Sequence, residues 1–128
     1  MNLFTILLVG TGGFFGTIAR YITVQIVDKK LNSVFPYGTL TVNLVGSFIL
    51  GFVIGVMGQQ NESRNNWKLF LTTGFCGGFT TFSAFAFENV NLLQQRMVIT
   101  SVSYTVLSIV AGFVAVIAGM LLGRMINV

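Results

Sequence analysis

Four stretches of this chain carry no charged side chain, and each is long enough to cross a membrane. They cover residues 1–19, 31–61, 69–87 and 97–123, and about 17 to 20 apolar residues suffice for a helix to span the hydrocarbon core. Charged residues make up 8% of the sequence and hydrophobic residues 54%, whereas soluble domains carry roughly 25% charged residues. Such a chain cannot cover a water-facing surface. We therefore predict an all-α integral membrane protein with four transmembrane helices.

The connections between the predicted spans are short. They fall at residues 28–36 and 61–67 and at a tight turn around Gln95 and Arg96, which leaves no room for a second domain. The first stretch has neither a basic segment before it nor a clear cleavage site, so we expect a retained span rather than a signal peptide. Residues 1–128 are predicted to form one four-helix unit, a multi-pass protein in contact with membrane lipid.

The third span carries helix-breaking and hydroxyl residues where a membrane helix is normally most apolar. The segment GGFTTFSAF occupies residues 77–85, and Phe82 stands midway between the flanking charges Lys68 and Arg96. Unwound backbone at membrane depth is tolerated only where it is buried in protein or lines a cavity, and it often builds an ion or substrate site. We predict a third helix broken at its midpoint, on a transport pathway. In the alternative, the glycines only allow close helix packing.

Positive charges are evenly divided between the two ends of the predicted bundle. If the helices alternate direction, three basic residues lie on each side, namely Arg64, Lys68 and Arg124 against Lys29, Lys30 and Arg96. An excess of Lys and Arg in cytoplasmic loops normally fixes orientation, so an even division favours dual topology. The alternative is a balance by chance, with orientation decided by Arg20, the N-terminal amine or the insertion machinery.

Dual topology permits an antiparallel homodimer whose two-fold axis lies in the membrane plane. Equivalent residues at the midplane would then meet across that axis. Backbone carbonyls of the two broken helices, around residues 77–80, would form a small oxygen-lined cage suited to a monovalent cation.

Asn43 begins a stripe of small and polar residues on one face of the second span, continued by Ser47, Gly51 and Gly55. An unpaired amide in hydrocarbon costs on the order of several kcal/mol, so its donors must reach another helix, water or a ligand. Two interpretations are open. The amide donates to an anion, or it forms an interhelical hydrogen bond.

Aromatic and hydroxyl side chains on the third and fourth spans are further candidates. Phe82 and Phe85 share a helix face, and the positive edges of their rings can hold a small anion weakly, although core packing is the alternative. Weak binding is what conduction requires. On the last span, Tyr104 needs a hydrogen-bond partner when buried. Ser108 lies on the same face, where hydroxyls can also bond back to their own helix.

Together these motifs resemble those of the Fluc (CrcB-type) fluoride channels. The resemblance rests on GGFTTFSAF from Gly77, on GTL at residues 38–40 with Asn43, and on Arg20, and it covers essentially the whole chain. It implies an antiparallel, dual-topology homodimer with two fluoride pores. It also implies a central structural sodium ion held by backbone carbonyls at the break, at the positions of Gly77 and Thr80.

The same resemblance implies a function and roles for single side chains. The implied function is passive export of cytoplasmic fluoride across a microbial inner membrane, which lowers fluoride toxicity. Phe82 and Phe85 match the aromatic pair that contacts fluoride, and Asn43 matches an amide donor on the pore. The hydroxyl candidates on the fluoride pathway are Tyr104, Ser108, Thr81 and Ser83.

Two charged residues complete the predicted fluoride pathway. Arg20 is expected near the end of the first span, where it either attracts anions to a vestibule or extends to the lipid headgroups. Glu88 is expected roughly 9 Å from the midplane, at 1.5 Å per residue. It either borders a pore vestibule, or is paired with Arg20, or extends to the interface.

Other classes of protein fit less well. No His, one Cys and three scattered carboxylates leave no acid–base pair or metal cluster for an enzyme. The net charge of +4 is not gathered in a basic run, so no nucleic-acid partner is expected. Two rivals remain. A proton-coupled small multidrug transporter would need a carboxylate deep in the membrane, and a structural tetraspan would use its polar stripes for assembly only.

Overall fold

The computed structural model describes residues 1–58 and 62–126, and the regular elements within them are helical. In chain order they are α1 (Leu3–Leu31), α2 (Tyr37–Met57), α3 (Glu62–Leu69), a π-helical segment (Phe70–Cys76), α4 (Gly77–Phe79), α5 (Phe82–Gln94) and α6 (Val98–Ile126). Four helical stretches are long and apolar enough to cross a membrane, namely α1, α2, Asn66–Gln94 and α6. Within the described residues, the predicted all-α architecture with four helices able to span a membrane is confirmed.

The helices do not end where the charge-free stretches of the sequence end. α1 runs on through Lys29 and Lys30, since basic side chains in a last turn interact favourably with the carbonyl end of the helix dipole. Arg20 therefore lies three residues beyond the middle of α1, and the prediction that it ends the span is wrong. The predicted connection at residues 61–67 begins at Asn61, which lies outside the described residues. From Glu62 onward the chain is helical, so most of that connection is helix.

The turns at one end of the bundle are closed by local hydrogen bonds. Asn32 ends α1 with a left-handed backbone (φ 44°), and its N–H donates to the Asp28 carbonyl oxygen at 2.8 Å. α2 begins after Pro36, which provides no side-chain cap. Asp28 Oδ1 instead accepts the Gly38 N–H at 2.9 Å, and a carboxylate there stabilises the helix start. Arg96 (φ 61°) forms the predicted tight turn between α5 and α6.

Two parallel helix pairs build the bundle through glycines. α1 packs against the first half of the third span, where a Cβ at Gly12 would lie 2.5 Å from the Phe70 carbonyl oxygen and one at Gly74 would lie 2.9 Å from that of Val9. α2 packs against α6 in the same way. These small residues let the backbones approach closely. The glycines of the α2–α6 contact are Gly51, Gly55, Gly119 and Gly123.

Successive spans alternate in direction, as the charge argument assumed. At the end of the bundle that holds the start of α1, Lys68 Nζ donates to the Gly58 carbonyl oxygen at 3.2 Å, and α6 ends on the same side with Arg124 in its last turn. The side chain of Arg64 lies outside the described part of the chain. The division of charge thus holds for the described side chains, and the basic residues of the opposite end are Lys29, Lys30 and Arg96.

The third span is interrupted at its middle, as predicted. Thr80 and Thr81 have extended backbone (ψ 161° and 123°) between α4 and α5, and Thr80 is the midpoint of the membrane-spanning stretch. Gly77 and Gly78 are helical, so the threonine pair rather than the glycine pair forms the break. Gly78 serves close packing instead, because a Cβ there would lie 2.5 Å from the Gly13 carbonyl oxygen.

The seven residues Phe70–Cys76, which precede α4 and the break, form a π-helix that the sequence did not predict. Such segments are rare and frequently occur at functional sites. Here the segment presents the carbonyls of Phe70 and Phe75 to Gly12 and Gly16 of α1. The π-helix is therefore part of the closest contact between α1 and the third span.

Alanine at Gly16 should destabilise the protein. A Cβ there would meet the Phe75 carbonyl oxygen and lie 3.0 Å from the Phe79 amide nitrogen. We expect Gly16→Ala to cost about 1 to 3 kcal/mol, the usual range for overpacking, measured by unfolding in detergent. Gly10→Ala is the control, since nothing lies within 4 Å of a Cβ at that position. Equal unfolding midpoints for the two variants would contradict this account of the packing of α1.

Candidate functional site

The break removes helical hydrogen bonds at the centre of the third span. In a continuous helix each N–H bonds to the carbonyl four residues earlier, so extended backbone at Thr80 and Thr81 separates the carbonyls of residues 77–80 from their helical partners. Thr81 begins α5, and its Oγ1 accepts the Ala84 N–H at 3.2 Å. Unsatisfied backbone groups in hydrocarbon each cost on the order of several kcal/mol. The remaining groups therefore need partners from other helices.

Asn43 of α2 pairs with both backbone groups of Thr81. Its Oδ1 accepts the Thr81 N–H at 2.8 Å, and its Nδ2 donates to the Thr81 carbonyl oxygen at 3.1 Å. The interhelical hydrogen bond, one of the two interpretations of Asn43, is thus present and ties α2 to the break. An amide has a second N–H besides the one used here, so a contact with an anion is compatible with this pairing.

Arg20 reaches the break from α1. Its Nε donates to the Gly78 carbonyl oxygen at 2.9 Å, which is one of the carbonyls that the break separates from its helical partner. Hydrogen bonds from a charged donor are about twice as strong as neutral ones. The half-buried guanidinium therefore stabilises the break, and its place on the fluoride pathway stays a prediction.

A groove of about 540 Å³ opens beside the break, between α2 and the third span. The described residues that line it are uncharged and include hydroxyl, amide and aromatic side chains. Six of the residues predicted for a site are among them. They are Asn43, Gly77, Thr80, Thr81, Phe82 and Phe85. The structure thus gathers the predicted aromatic pair, amide and carbonyl positions in one place.

Gly77 and Thr80 bring backbone to this groove. Gly77 is exposed, and nothing lies within 4 Å of a Cβ placed on it. The Thr80 hydroxyl donates back to the Cys76 carbonyl oxygen at 2.8 Å, and its main-chain carbonyl is one of those that the break separates from a helical partner. Backbone carbonyls are ligands that alkali cations accept.

Phe82 and Phe85 stand in contact on α5, with ring centroids 5.8 Å apart and planes inclined at 45°. Phe82 is 78% exposed, so it does not fill the core of the subunit. Phe85 is half-buried, and its ring centroid lies 5.1 Å from that of Tyr104 on α6. The Phe85 ring therefore lies between the groove and the interior of the bundle.

Glu88 is held by two hydroxyls inside the bundle. Tyr104, which is fully buried, donates its phenol proton to Glu88 Oε1 at 2.9 Å, and Thr39 Oγ1 donates to Oε2 at 2.7 Å. The expected pairing of Glu88 with Arg20 is replaced by these two hydroxyl contacts, one on each carboxyl oxygen, while Arg20 Nε donates to the Gly78 carbonyl oxygen. A carboxylate is satisfied here by neutral donors from α2 and α6, which satisfies the need of a buried charge for hydrogen bonds.

Sequence reasoning missed Thr39 and Asn89 as functional candidates. Thr39 belongs to the GTL segment but was given no role. Asn89 is a second amide in the middle of a span, and the argument applied to Asn43 would have found it. Its Oδ1 accepts from Ser101 Oγ at 2.7 Å and from Thr105 Oγ1 at 3.0 Å. Those two hydroxyls therefore bond across helices rather than only to their own backbone.

The two predicted serines lie at the margins of these contacts. Ser83 is exposed, and its hydroxyl oxygen lies 3.4 Å from that of Thr81. Ser108 is one turn beyond Tyr104 on α6. Within residues 1–58 and 62–126, its buried hydroxyl has no hydrogen-bond partner. A buried hydroxyl in that state is open to a ligand or a water molecule.

Fold and site together define a polytopic helical membrane protein in which a broken span places polar groups on a groove at mid-depth. Such a site is typical of ion and solute pathways. A family model described as "CrcB-like protein, Camphor Resistance (CrcB)" matches residues 7–120. The chain belongs to this family, which confirms the resemblance found in the sequence.

Curated relatives match the chain over nearly their whole length. A protein of Gloeothece citriformis is 44% identical over 91% of this chain and 94% of its own, and one of Chlorobium chlorochromatii is 42% identical over 93% and 92%. One of Flavobacterium psychrophilum is 37% identical over 94% and 97%. Each is named fluoride-specific ion channel FluC. These names describe ion channels, in agreement with the prediction that this chain is not an enzyme.

Removing the Asn43 amide should destabilise the protein more than removing a neighbouring hydroxyl. Asn43→Leu removes both hydrogen bonds to the Thr81 backbone and leaves the Thr81 N–H without this partner, and an unsatisfied buried group costs about 1 to 3 kcal/mol. We expect a lower unfolding midpoint in detergent and faster hydrogen exchange at the Thr81 amide. Ser47→Ala, one turn along α2 in the same groove, is the matched control. An Asn43→Leu protein as stable as Ser47→Ala would exclude the pairing as a source of stability.

Proposed function

We propose that this chain forms a fluoride-selective channel through which fluoride leaves the cytoplasm passively. The name of its curated relatives supports this, and the observation that carries it is the meeting of Asn43, Phe82 and Phe85 in one groove. Neutral donors and ring edges replace part of the fluoride hydration shell without trapping the ion. Conduction requires binding that is favourable enough for entry and weak enough for exit.

The arrangement of the aromatic rings suggests a direction of travel through the subunit. Phe82 is exposed in the groove, Phe85 follows it on the same face, and the Tyr104 hydroxyl lies behind the Phe85 ring. Fluoride would pass from the ring edges to hydroxyl donors, which are the stronger partners for an anion. Glu88 keeps those hydroxyls oriented in its absence, because it accepts from both Tyr104 and Thr39.

An antiparallel homodimer is part of the proposal. In a single subunit the groove, Gly77 and the largely exposed Phe82 would face lipid at mid-depth, and polar groups in hydrocarbon need partners. A second copy related by a two-fold axis in the membrane plane would cover both grooves at once, since such an interface uses the same surface twice. Each groove then becomes one pore, which gives two pores per dimer. The balanced basic residues favour insertion in both orientations.

A sodium ion at the centre of that dimer is the proposed structural cation. The carbonyls of Gly77 and Thr80 lie at the break, which is the midpoint of the third span, so a midplane axis brings two such sets together. When bound, the ion would neutralise the converging carbonyl dipoles and fix the two breaks against each other. This chain contributes only main-chain oxygens to it.

The proposed role is protection of a microbial cell, with the protein in its inner membrane. Hydrogen fluoride enters from acidic surroundings as a neutral molecule and ionises in the cytoplasm, where the anion is trapped. A passive channel then lets fluoride leave down its gradient. No energy source is needed, which agrees with a site built from neutral donors.

The first test is anion efflux from liposomes that contain the purified protein. We expect rapid loss of fluoride, followed with an ion-selective electrode, and no loss of chloride in a matched preparation. Loss of neither anion while the protein remains assembled would refute the channel assignment and direct attention to proton-coupled transport of organic cations.

The aromatic pair gives the sharper form of that test. Phe85→Ile removes a ring edge while keeping an apolar side chain of useful size, and we expect fluoride efflux to fall about tenfold, the equivalent of roughly 1.4 kcal/mol. Phe75→Ile is the matched control, because Phe75 stacks on Phe79 away from Phe85. A structural tetraspan would show no efflux in any of these proteins. Equal efflux from both variants would remove the ring from the pathway.

Sodium should stabilise the assembled protein. An ion that binds only the folded dimer raises its stability in proportion to the logarithm of ion concentration. We expect a higher unfolding midpoint in sodium chloride than in N-methylglucamine chloride at equal ionic strength, with lithium and potassium as size controls. Identical midpoints in all four salts would rule out the sodium site and leave the fluoride pathway untouched.

A further inference from the structure

We propose that Asn89 is a positioning residue, which sets the register of α5 against α6 and thereby holds the Tyr104 hydroxyl on Glu88. The inference rests on the proposed function for its transport readout, because Glu88 and Tyr104 belong to the proposed fluoride pathway. Its structural content is independent of that function. It concerns how three polar contacts between two helices are coupled.

The three contacts join two adjacent residues of α5 to one face of α6. Ser101, Tyr104 and Thr105 are spaced three and four residues apart on α6 and so share a face. Asn89 Oδ1 accepts from Ser101 at 2.7 Å and from Thr105 at 3.0 Å. Glu88, the preceding residue, accepts from Tyr104 at 2.9 Å. The two hydroxyls on Asn89 thus flank the one on Glu88.

The amide of Asn89 is fixed at both of its ends. Its Nδ2 donates to the Phe85 carbonyl oxygen of the preceding turn at 3.1 Å. Its Oδ1 has two lone pairs, and the two hydroxyls of α6 use both. Rotation of α5 against α6, or sliding along it, would break the two bonds from α6 to Oδ1, while the bond to Phe85 fixes the amide on α5. The side chain therefore defines a single register between α5 and α6.

This register matters because the Tyr104 hydroxyl reaches Glu88 only when α5 and α6 are correctly aligned, and a ring contact between them does not fix that alignment. The Tyr104 ring packs against Phe85 of α5 with ring centroids 5.1 Å apart, and ring contacts tolerate sliding better than hydrogen bonds do. A phenol that shifts by about 1 Å leaves the hydrogen-bond range of 2.5–3.0 Å. Asn89 is the group that prevents such a shift.

Removing the amide should leave the protein folded. In Asn89→Leu, Ser101 and Thr105 can bond back to carbonyls of their own helix, a common arrangement in membrane helices. Leucine fills a similar volume and suits hydrocarbon. The expected consequence is a loosened register, with the Tyr104 hydroxyl no longer held on Glu88.

The first measurement is fluoride efflux from liposomes for the full-length wild type and Asn89→Leu. We expect on the order of a fivefold fall, the size expected for loss of one interhelical hydrogen bond in a membrane. Asn91→Leu is the matched control, since Asn91 is exposed on the same helix and undergoes the same chemical change. It should conduct as wild type does.

A double-variant comparison separates positioning from general destabilisation. If Asn89 acts through the Tyr104 hydroxyl, Asn89→Leu should have no further effect on efflux in a Tyr104→Phe background. If Asn89 only stabilises the protein, Asn89→Leu should reduce efflux by the same factor in the wild-type and Tyr104→Phe backgrounds. That result would overturn the proposal.

A spectroscopic readout makes the test independent of transport. The chain has three tyrosines, so protein labelled with ¹³C at tyrosine Cζ gives three resonances, and Tyr104→Phe identifies the one of interest. We expect that resonance to move in Asn89→Leu and to stay in place in Asn91→Leu. An unmoved resonance would overturn the proposal even where Tyr104→Phe conducts too little for the efflux comparison. If the wild type conducts no fluoride but the Tyr104 resonance moves in Asn89→Leu, the channel is refuted and the positioning role stands.

Discussion

Backbone hydrogen bonding at the centre of the third span is the constraint on which this structure depends. Hydrocarbon offers no water to an unpaired N–H or carbonyl, so a chain that interrupts a helix at mid-depth must supply partners from its other helices. Here α2 provides Asn43 for both groups of Thr81, and α1 provides Arg20 for the Gly78 carbonyl. Arg20 of α1 and Asn43 of α2 are therefore explained first by the break. Any contact they make with an ion is additional to that structural role.

The break also lets one span pack against two different neighbours. Before it, the π-helix and α4 lie on the glycine face of α1, and after it α5 lies on α6. A straight helix could not follow both. Phe85 stands just past the change of partner, with its ring between the groove and Tyr104. Because of this change of partner, only the Phe85 ring separates the exposed groove from the buried Tyr104.

Most of the architecture could be predicted from sequence, since four charge-free runs and one polar interruption are strong signals in a membrane chain. The finer placement could not. Arg20 was assigned to a span end because charges normally end spans, yet the partner that keeps it inside lies 58 residues away, at Gly78. The sequence predicts a break around residues 77–80, but helix packing holds Gly78 in the helix while Asn43 stabilises extended threonine. The π-helix and the register set by Asn89 depend on contacts between helices that no local pattern records.

The state of Glu88 bears on the remaining rival, a proton-coupled transporter. A coupling carboxylate must exchange a proton with a water-accessible cavity and then face its substrate, so it belongs on the main cavity of the protein. Glu88 is on α5 inside the bundle, both of its oxygens accept hydroxyl protons, and it is not among the residues that line the groove. Its environment orders neighbouring donors instead of presenting an exchangeable acid to solvent. That arrangement suits an anion pathway, where a carboxyl group aligns hydroxyls that a passing anion can borrow, better than it suits exchange of protons for organic cations.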